Sequence, residues 1–409
     1  MRVPISVLDR FILFLLSLTV LVDMVNGFFI MEFVKLPISQ FFKLSVIILM
    51  LLRLTSNKEI VFALLILISF QISPLIGLIK TGDLSYYIKD VIVAAKWFTV
   101  PLSFLFFKKI FQSSRIELLI PWIKRIVTFS LVFITINLLL GSIGLGMSFY
   151  HHGYGNAVGT KGYIYAGNEL SILVLCLAFI TAIYLKEKKQ ILKVIFSGII
   201  FLFFAFLITS KTVIFGVLLM FLLPWISSIK RKIKKKWINR LFLFVLIGIP
   251  LISYLFYVTV NNSGILKKLE YSMRKNNNDL LTVFLSNRNN FLQKGIEVFS
   301  DYTWYEKILG LGQNYFLSLA GKIPEMDFFT LLFTSGFLGL MTLMITISYY
   351  FLNAMHLRKL PKYIFAKHTL AFLIFLIIIA NLSGHIFGSG IAAFFIGGSI
   401  AIMFLKREQ

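Results

Sequence analysis

The chain has 409 residues, 58% of them hydrophobic and 14% charged, with a mean hydropathy of +0.89 that excludes a soluble globular domain and marks a polytopic membrane protein. Its 41 basic and 17 acidic residues give a net charge of +24. In a soluble protein that balance would point to nucleic acid, but here the excess sits in short loops between apolar runs, so no nucleic-acid partner is expected. The single cysteine, Cys176, lies inside an apolar run and excludes an intrachain disulfide or a thiolate metal site.

Windows of about 20 apolar residues can cross a bilayer as helices, and the sequence offers about twelve. They fall near 8–30, 37–53, 59–79, 87–107, 120–140, 168–185, 191–208, 212–229, 240–259, 326–351, 369–384 and 388–405. The first run, from Phe11 to Phe33, is too long for a cleavable signal and is expected to stay as a span. Basic residues recur at every second loop: Lys108, Lys109, Arg115, Lys124 and Arg125, then Lys186, Lys188, Lys189 and Lys193. The strongest cluster, Lys230 to Arg240, follows, then Arg358, Lys359, Lys362 and Lys367, and finally Lys406 and Arg407. The positive-inside rule makes these loops cytoplasmic and both termini internal. The expectation is one all-α membrane domain over 1–409, with its long loops, 141–167 and 259–325, outside.

The 141–167 loop is rich in Gly, Tyr and Asn, with Lys161 as its only charge. Aromatic faces stack on sugar rings, and small amide residues supply adaptable hydrogen bonds, so this loop is read as sugar-facing. His152, Lys161 and Tyr163 in this loop, with Asn168 and Glu169 at the start of the next span, are candidate substrate-binding residues. The 259–325 loop is the longest polar segment and is expected to carry amphipathic helices as the external floor of a site.

Four features can carry chemistry at the outer face. Lys211 sits in a tight external hairpin, Thr209-Ser210-Lys211-Thr212, where a lysine either snorkels or meets an anion. Arg288 opens a helix in the long loop, and its planar fork suits a diphosphate. Glu325 and Asp327 precede an apolar helix, where they either cap it or act as a general base. His385 lies in the last external turn. Within the spans, Lys96 near the middle of the fourth is costly to bury in lipid, by about 2.5–3.5 kcal/mol, and is expected to face a cavity. Asp23 in the first span belongs with it. No zinc-ligand spacing and no external Asp-x-Asp cluster occurs in the sequence, so metal-independent chemistry without a cofactor is expected.

In order and setting these residues resemble the Wzy-type polymerases of O-antigen and capsular polysaccharide repeat units and, more distantly, the O-antigen ligases. The resemblance covers roughly 160–345. It rests on Gly167-Asn168-Glu169 opening a span, Ser210-Lys211 between two spans, Asn287-Arg288 in the large loop, Ile308-Leu309-Gly310-Leu311-Gly312, Glu325-Met326-Asp327 and Gly336-Phe337-Leu338-Gly339. It implies a GT-C-like bundle in a bacterial inner membrane, with its active site facing outward. It also implies an enzyme that moves a growing glycan from undecaprenyl diphosphate onto an incoming lipid-linked repeat, with a chain-length regulator as a further membrane partner. Arg288 and Lys211 would then hold the diphosphate, and Glu325 or Asp327 would take the acceptor proton. Two departures stand out. The ligases carry a histidine near the position of Glu325, which favours polymerase here, and Lys211 replaces the family's second external arginine. The alternatives are a ligase of finished polymer and a non-enzymatic flippase of the same lipid-linked sugars.

Overall fold

A computed structural model describes residues 5–150, 158–228, 273–274 and 279–406. The ninth expected span, the basic cluster at 230–240, Lys267, Lys268, Lys275 and His152 lie outside the described residues.

Eight helices come first: α1 (Val7–Glu32), α2 (Ile38–Arg53), α3 (Asn57–Thr81), α4 (Leu84–Ser113), α5 (Ile116–Ser142), α6 (Gly167–Glu187), α7 (Ile191–Ile208) and α8 (Lys211–Ile226). Further along come four short helices, α9 (Leu280–Leu285), α10 (Arg288–Ser300), α11 (Trp304–Leu309) and α12 (Gln313–Ala320). Then follow α13 (Asp327–Leu357), α14 (Ala366–Leu382) and α15 (Ala393–Ala401), the last running into a 3-10 turn, Ile402–Phe404. Seven of these, α1, α3, α4, α5, α6, α7 and α13, are long and apolar enough to cross a membrane. The chain is therefore a predominantly helical, polytopic membrane protein.

Local chemistry sets the helix limits. Ser6 caps α1 by accepting the Asp9 amide at 3.0 Å. Between α3 and α4, Gly82 closes one helix in the left-handed region. Asp83 then opens the next by accepting from the Ser85 and Tyr86 amides. α4 and α6 are the most enclosed of the long helices, and α5 and α7 the least. Every residue of α15 is buried, and Ser103 of α4 bonds its Phe394 carbonyl at 2.9 Å, so α15 is a core element.

Three features depart from the expected pattern. First, the expected span at 388–405 is not one helix: residues 383–392 form a loop, and only Ala393 onward is helical. Gly384, Gly388 and Gly390 weaken any helix there, and carboxylates described below capture the loop's amides. Second, the 141–167 segment is not all loop. β1 (Met147–Tyr150) and β2 (Val158–Gly162) form an antiparallel hairpin, with Ser148 paired to Thr160 and an irregularity between Met147 and Ser148.

Third, α13 is broken at Gly336, whose φ of 65° and ψ of −170° are not helical. The break leaves the Thr334 carbonyl free to accept from the Gly312 amide at 2.9 Å. A Cβ at Gly336 would lie 2.5 Å from the Ile308 carbonyl oxygen, and one at Gly310 2.5 Å from Ser335 backbone. The Ile308–Gly312 and Gly336–Gly339 motifs therefore interlock, and irregular backbone inside the bundle is satisfied by protein rather than left to lipid.

The segment that precedes α13 is pinned to the bundle at two further points. Glu306, in a capping box with Thr303, pairs with Lys80 of α3. Asp90 of α4 accepts from the Asn314 amide at 2.9 Å and its side chain at 2.6 Å, which fixes the start of α12. Phe316 then stacks on Phe333 of α13 at 5.6 Å, within a small apolar cluster that includes Ala320 and Phe299.

Candidate functional site

Arg288 is the first residue of α10, delivered by Ser286 and Asn287, both left-handed at φ 55° and 67°. Its Nη2 donates to Glu325 Oε2 at 3.0 Å, and its Nη1 reaches the Leu285 carbonyl at 3.4 Å. Its Nε is buried with no acceptor among the described residues. An orphaned buried donor costs about 1–3 kcal/mol, which makes this guanidinium a standing acceptor-seeker.

Glu325 is itself left-handed at φ 57°, as is His385. The two backbones are pressed together: a Cβ on Gly384 would lie 1.8 Å from the Glu325 carbonyl oxygen. His385 Nε2 stands 4.0 Å from Glu325 Oε1, an electrostatic contact rather than a hydrogen bond. Burial pushes the Glu325 carboxyl up, but His385, Arg288 and Lys322 outweigh it and hold the group at about 2. Burial likewise disfavours the His385 imidazolium, and Glu325, Asp327 and Glu169 reverse this and raise it above its usual range. The centre is a carboxylate between an arginine and a histidine, built on strained backbone of the kind that clusters at functional sites.

Two buried carboxylates hold the loop that presents His385. Asp327, at the start of α13, accepts through Oδ2 from the Ile386 and Phe387 amides at 3.0 and 2.7 Å. Glu169, in the first turn of α6, accepts through Oε2 from Ser389 Oγ at 3.0 Å and the Ile391 amide at 2.7 Å. Asp327 is 2% exposed and already engaged by two loop amides, which leaves Glu325 as the more accessible carboxylate of the pair.

The other expected residues fall around this centre. The Lys96 side chain passes Gly390, whose Cβ would lie 3.2 Å from Lys96 Cε and 3.6 Å from Glu169 Oε2. Lys211 begins α8 and is exposed, and the next residue, Thr212, meets Ser383 at 3.0 Å. Lys161 on β2 lies with its Nζ 5.2 Å from the centre of the Tyr165 ring. Asn168 is half-buried in the first turn of α6. Tyr163 is packed inward: its amide donates to Asn137 Oδ1 at 2.8 Å, and its ring meets Phe28 edge-on at 5.3 Å. That placement makes it a joint between the hairpin and α1. Asp23 is engaged by Lys43 at 2.6 Å and by Ser39, which ties α1 to α2.

No family model, curated protein or solved structure matches this chain. The site therefore rests on its own geometry. Sequence reasoning named both Glu325 and His385 without seeing that they meet, and it missed the 383–392 loop as the keystone. The available signal was Gly384, Gly388 and Gly390 alternating with Ser383, His385 and Ser389 inside an otherwise apolar run. Among the described residues, no three His, Cys, Asp or Glu side chains converge to hold a metal ion.

Proposed function

We propose that this protein is a membrane glycosyltransferase that polymerises oligosaccharide repeat units carried on undecaprenyl diphosphate at the outer leaflet of a bacterial inner membrane. The observation that carries this reading is the Arg288–Glu325–His385 centre, with a buried guanidinium donor left without an acceptor. A diphosphate leaving group satisfies that donor and spreads its developing charge over Arg288 and His385.

In the reaction, the C1–O bond between the growing glycan and its lipid diphosphate breaks. A new C1–O bond forms to a hydroxyl of the incoming lipid-linked repeat, and that hydroxyl's proton is taken by Glu325. A carboxylate held at about 2 is a weak base. When Arg288 turns to the diphosphate, Glu325 loses a cationic partner and gains an anionic neighbour, both of which raise its proton affinity. Substrate binding thus switches the base on. Asp327 and Glu169 fix the His385 loop, and neither moves a proton.

One observation favours a second reading. The histidine absent from sequence positions near Glu325 is supplied in space by His385, so the contrast with the ligases is smaller than the sequence implies. The deciding experiment incubates full-length protein with defined undecaprenyl-diphosphate repeat units. Chain growth that disappears in Arg288→Ala is expected; transfer of finished polymer to a separate acceptor without any chain growth would replace polymerase by ligase.

A further inference from the structure

Two exposed apolar stripes run along neighbouring helices. On α3, Leu65, Ile68, Leu75 and Ile79 are exposed at helical spacing, and on α13 so are Phe337, Met341 and Ile345. Both helices are long and apolar enough to cross a membrane, so these stripes are surfaces for acyl chains. The helices stand side by side, with Ser73 Oγ of α3 donating to Ser335 Oγ of α13 at 3.2 Å.

α11 lies where both stripes end. Its Glu306 pairs with Lys80, the residue after Ile79, and its Ile308 carbonyl packs against Gly336, the residue before Phe337. At 3.6 residues per turn, Trp304, Tyr305 and Ile308 fall within about 100° of one another on the side away from Glu306. They are 75%, 42% and 43% exposed, whereas Glu306 is 2% exposed. The Trp304 and Tyr305 rings meet edge-on at 6.0 Å. The capping box at Thr303, the Lys80 pair and the glycine interlock hold α11 in place, so this aromatic face is turned away from the protein on a fixed support. Among the described residues, neither the Trp304 indole N–H nor the Tyr305 hydroxyl has a hydrogen-bond partner. Trp and Tyr combine an apolar ring with one polar tip, and they gather where headgroups meet acyl chains.

We infer that Trp304, Tyr305 and Ile308 form an interfacial anchor, which seats the segment before α13 in the headgroup–acyl boundary of the bilayer. The position of α11 at the end of two lipid-facing stripes selects lipid as its partner. The anchor is independent of the reaction that the centre performs.

The test places nitroxide labels on full-length protein in phosphatidylcholine nanodiscs, at Trp304→Cys, Ile308→Cys and, for comparison within the α13 stripe, Met341→Cys. Cys176 is fully buried, and wild type treated in parallel measures any label that it takes. Collision with oxygen, which concentrates among acyl chains, and with a neutral nickel chelate, which stays in water, gives the depth of each label against spin-labelled lipids. Labels at 304 and 308 are expected at a depth of about 5–10 Å, with the label at 341 deeper. The two α11 labels report one face from separate variants, so a perturbation by either label shows as a disagreement between them, and Trp304→Phe with the label at 308 then decides. Full access of the nickel chelate at both positions overturns the anchor. So does shielding from both reagents, which would give this face to a protein partner or a second copy of the chain. A depth equal to that at 341 also overturns it, since α11 would then lie among acyl chains rather than at the boundary.

Discussion

Two histidines at opposite ends of the bundle show how differently the same side chain can be used. His368, near the start of α14, is fully buried. Its Nδ1 meets Ser227 Oγ at 2.5 Å and its Nε2 faces Lys186 Nζ at 3.4 Å, while that lysine also reaches Ser228 and Glu187. A proton on Nδ1 satisfies both contacts, and the cluster closes three helix ends on ordinary helical backbone. His385 sits instead on left-handed backbone, its side chain 38% exposed, beside an arginine with a donor to spare. The first cluster is complete as it stands; the second is held open at the expense of local stability, and that asymmetry separates a structural polar group from a candidate functional one.

The contrast breaks most visibly at the loop that presents His385. Asp327→Ala orphans the Ile386 and Phe387 amides and is expected to cost roughly 2–6 kcal/mol, read as a lowered Tm in detergent together with lost elongation. Next in size, Arg288→Ala should reduce elongation about a hundredfold with little change in Tm, since preorganised cations at a leaving group act on the transition state. His368→Ala should do the reverse, lowering Tm while activity per folded molecule is kept. If the two swapped behaviours, the distinction drawn between the clusters would fail. Gly384→Ala forces a methyl against the Glu325 carbonyl at φ 64° and should cost about 1–3 kcal/mol, with activity falling in step.

The smallest effect is in pH. Glu325 is held at about 2, below its usual 4.5, so its contribution to stability is present above 4.5 and lost as pH falls toward 2. His385 is held above its usual 6.5, so its contribution is complete below 6.5 and lost as pH rises through the raised value. Tm should therefore decline as pH rises from 6.5 through that raised value, and His385→Asn should flatten that decline. An unchanged slope in the variant would remove His385 from the electrostatic centre.

How much of this was legible in the sequence depends on which atoms carry the information. The apolar runs that became α1, α3 and α13 are side-chain patterns of one segment, and hydropathy reads them directly. Glu325, His385 and Lys211 were each recognisable by residue type and by position at a span end, and Arg288 by residue type within the long loop. What joins them was not. Asp327 and Glu169 act through backbone amides of Ile386, Phe387 and Ile391, and an amide donor has the same sequence signature everywhere. Gly310 and Gly336 were both visible as motif glycines, yet their interlock joins a loop to a broken helix across 26 positions, and the break costs nothing that hydropathy registers. Tyr163 was read by composition as a sugar-facing aromatic, but its burial against Phe28 depends on where the hairpin turns.

The broken turn at Gly336 also sets an order of assembly. Until the Gly312 amide arrives, the Thr334 carbonyl is an unpaired acceptor inside a helix long and apolar enough to cross a membrane. Membrane insertion of α13 and docking of the loop that precedes it are thus one coupled event during biogenesis. A nascent chain whose preceding segment fails to dock carries an unpaired carbonyl within an apolar helix, a mark by which membrane quality control can distinguish an unfinished molecule from a finished one.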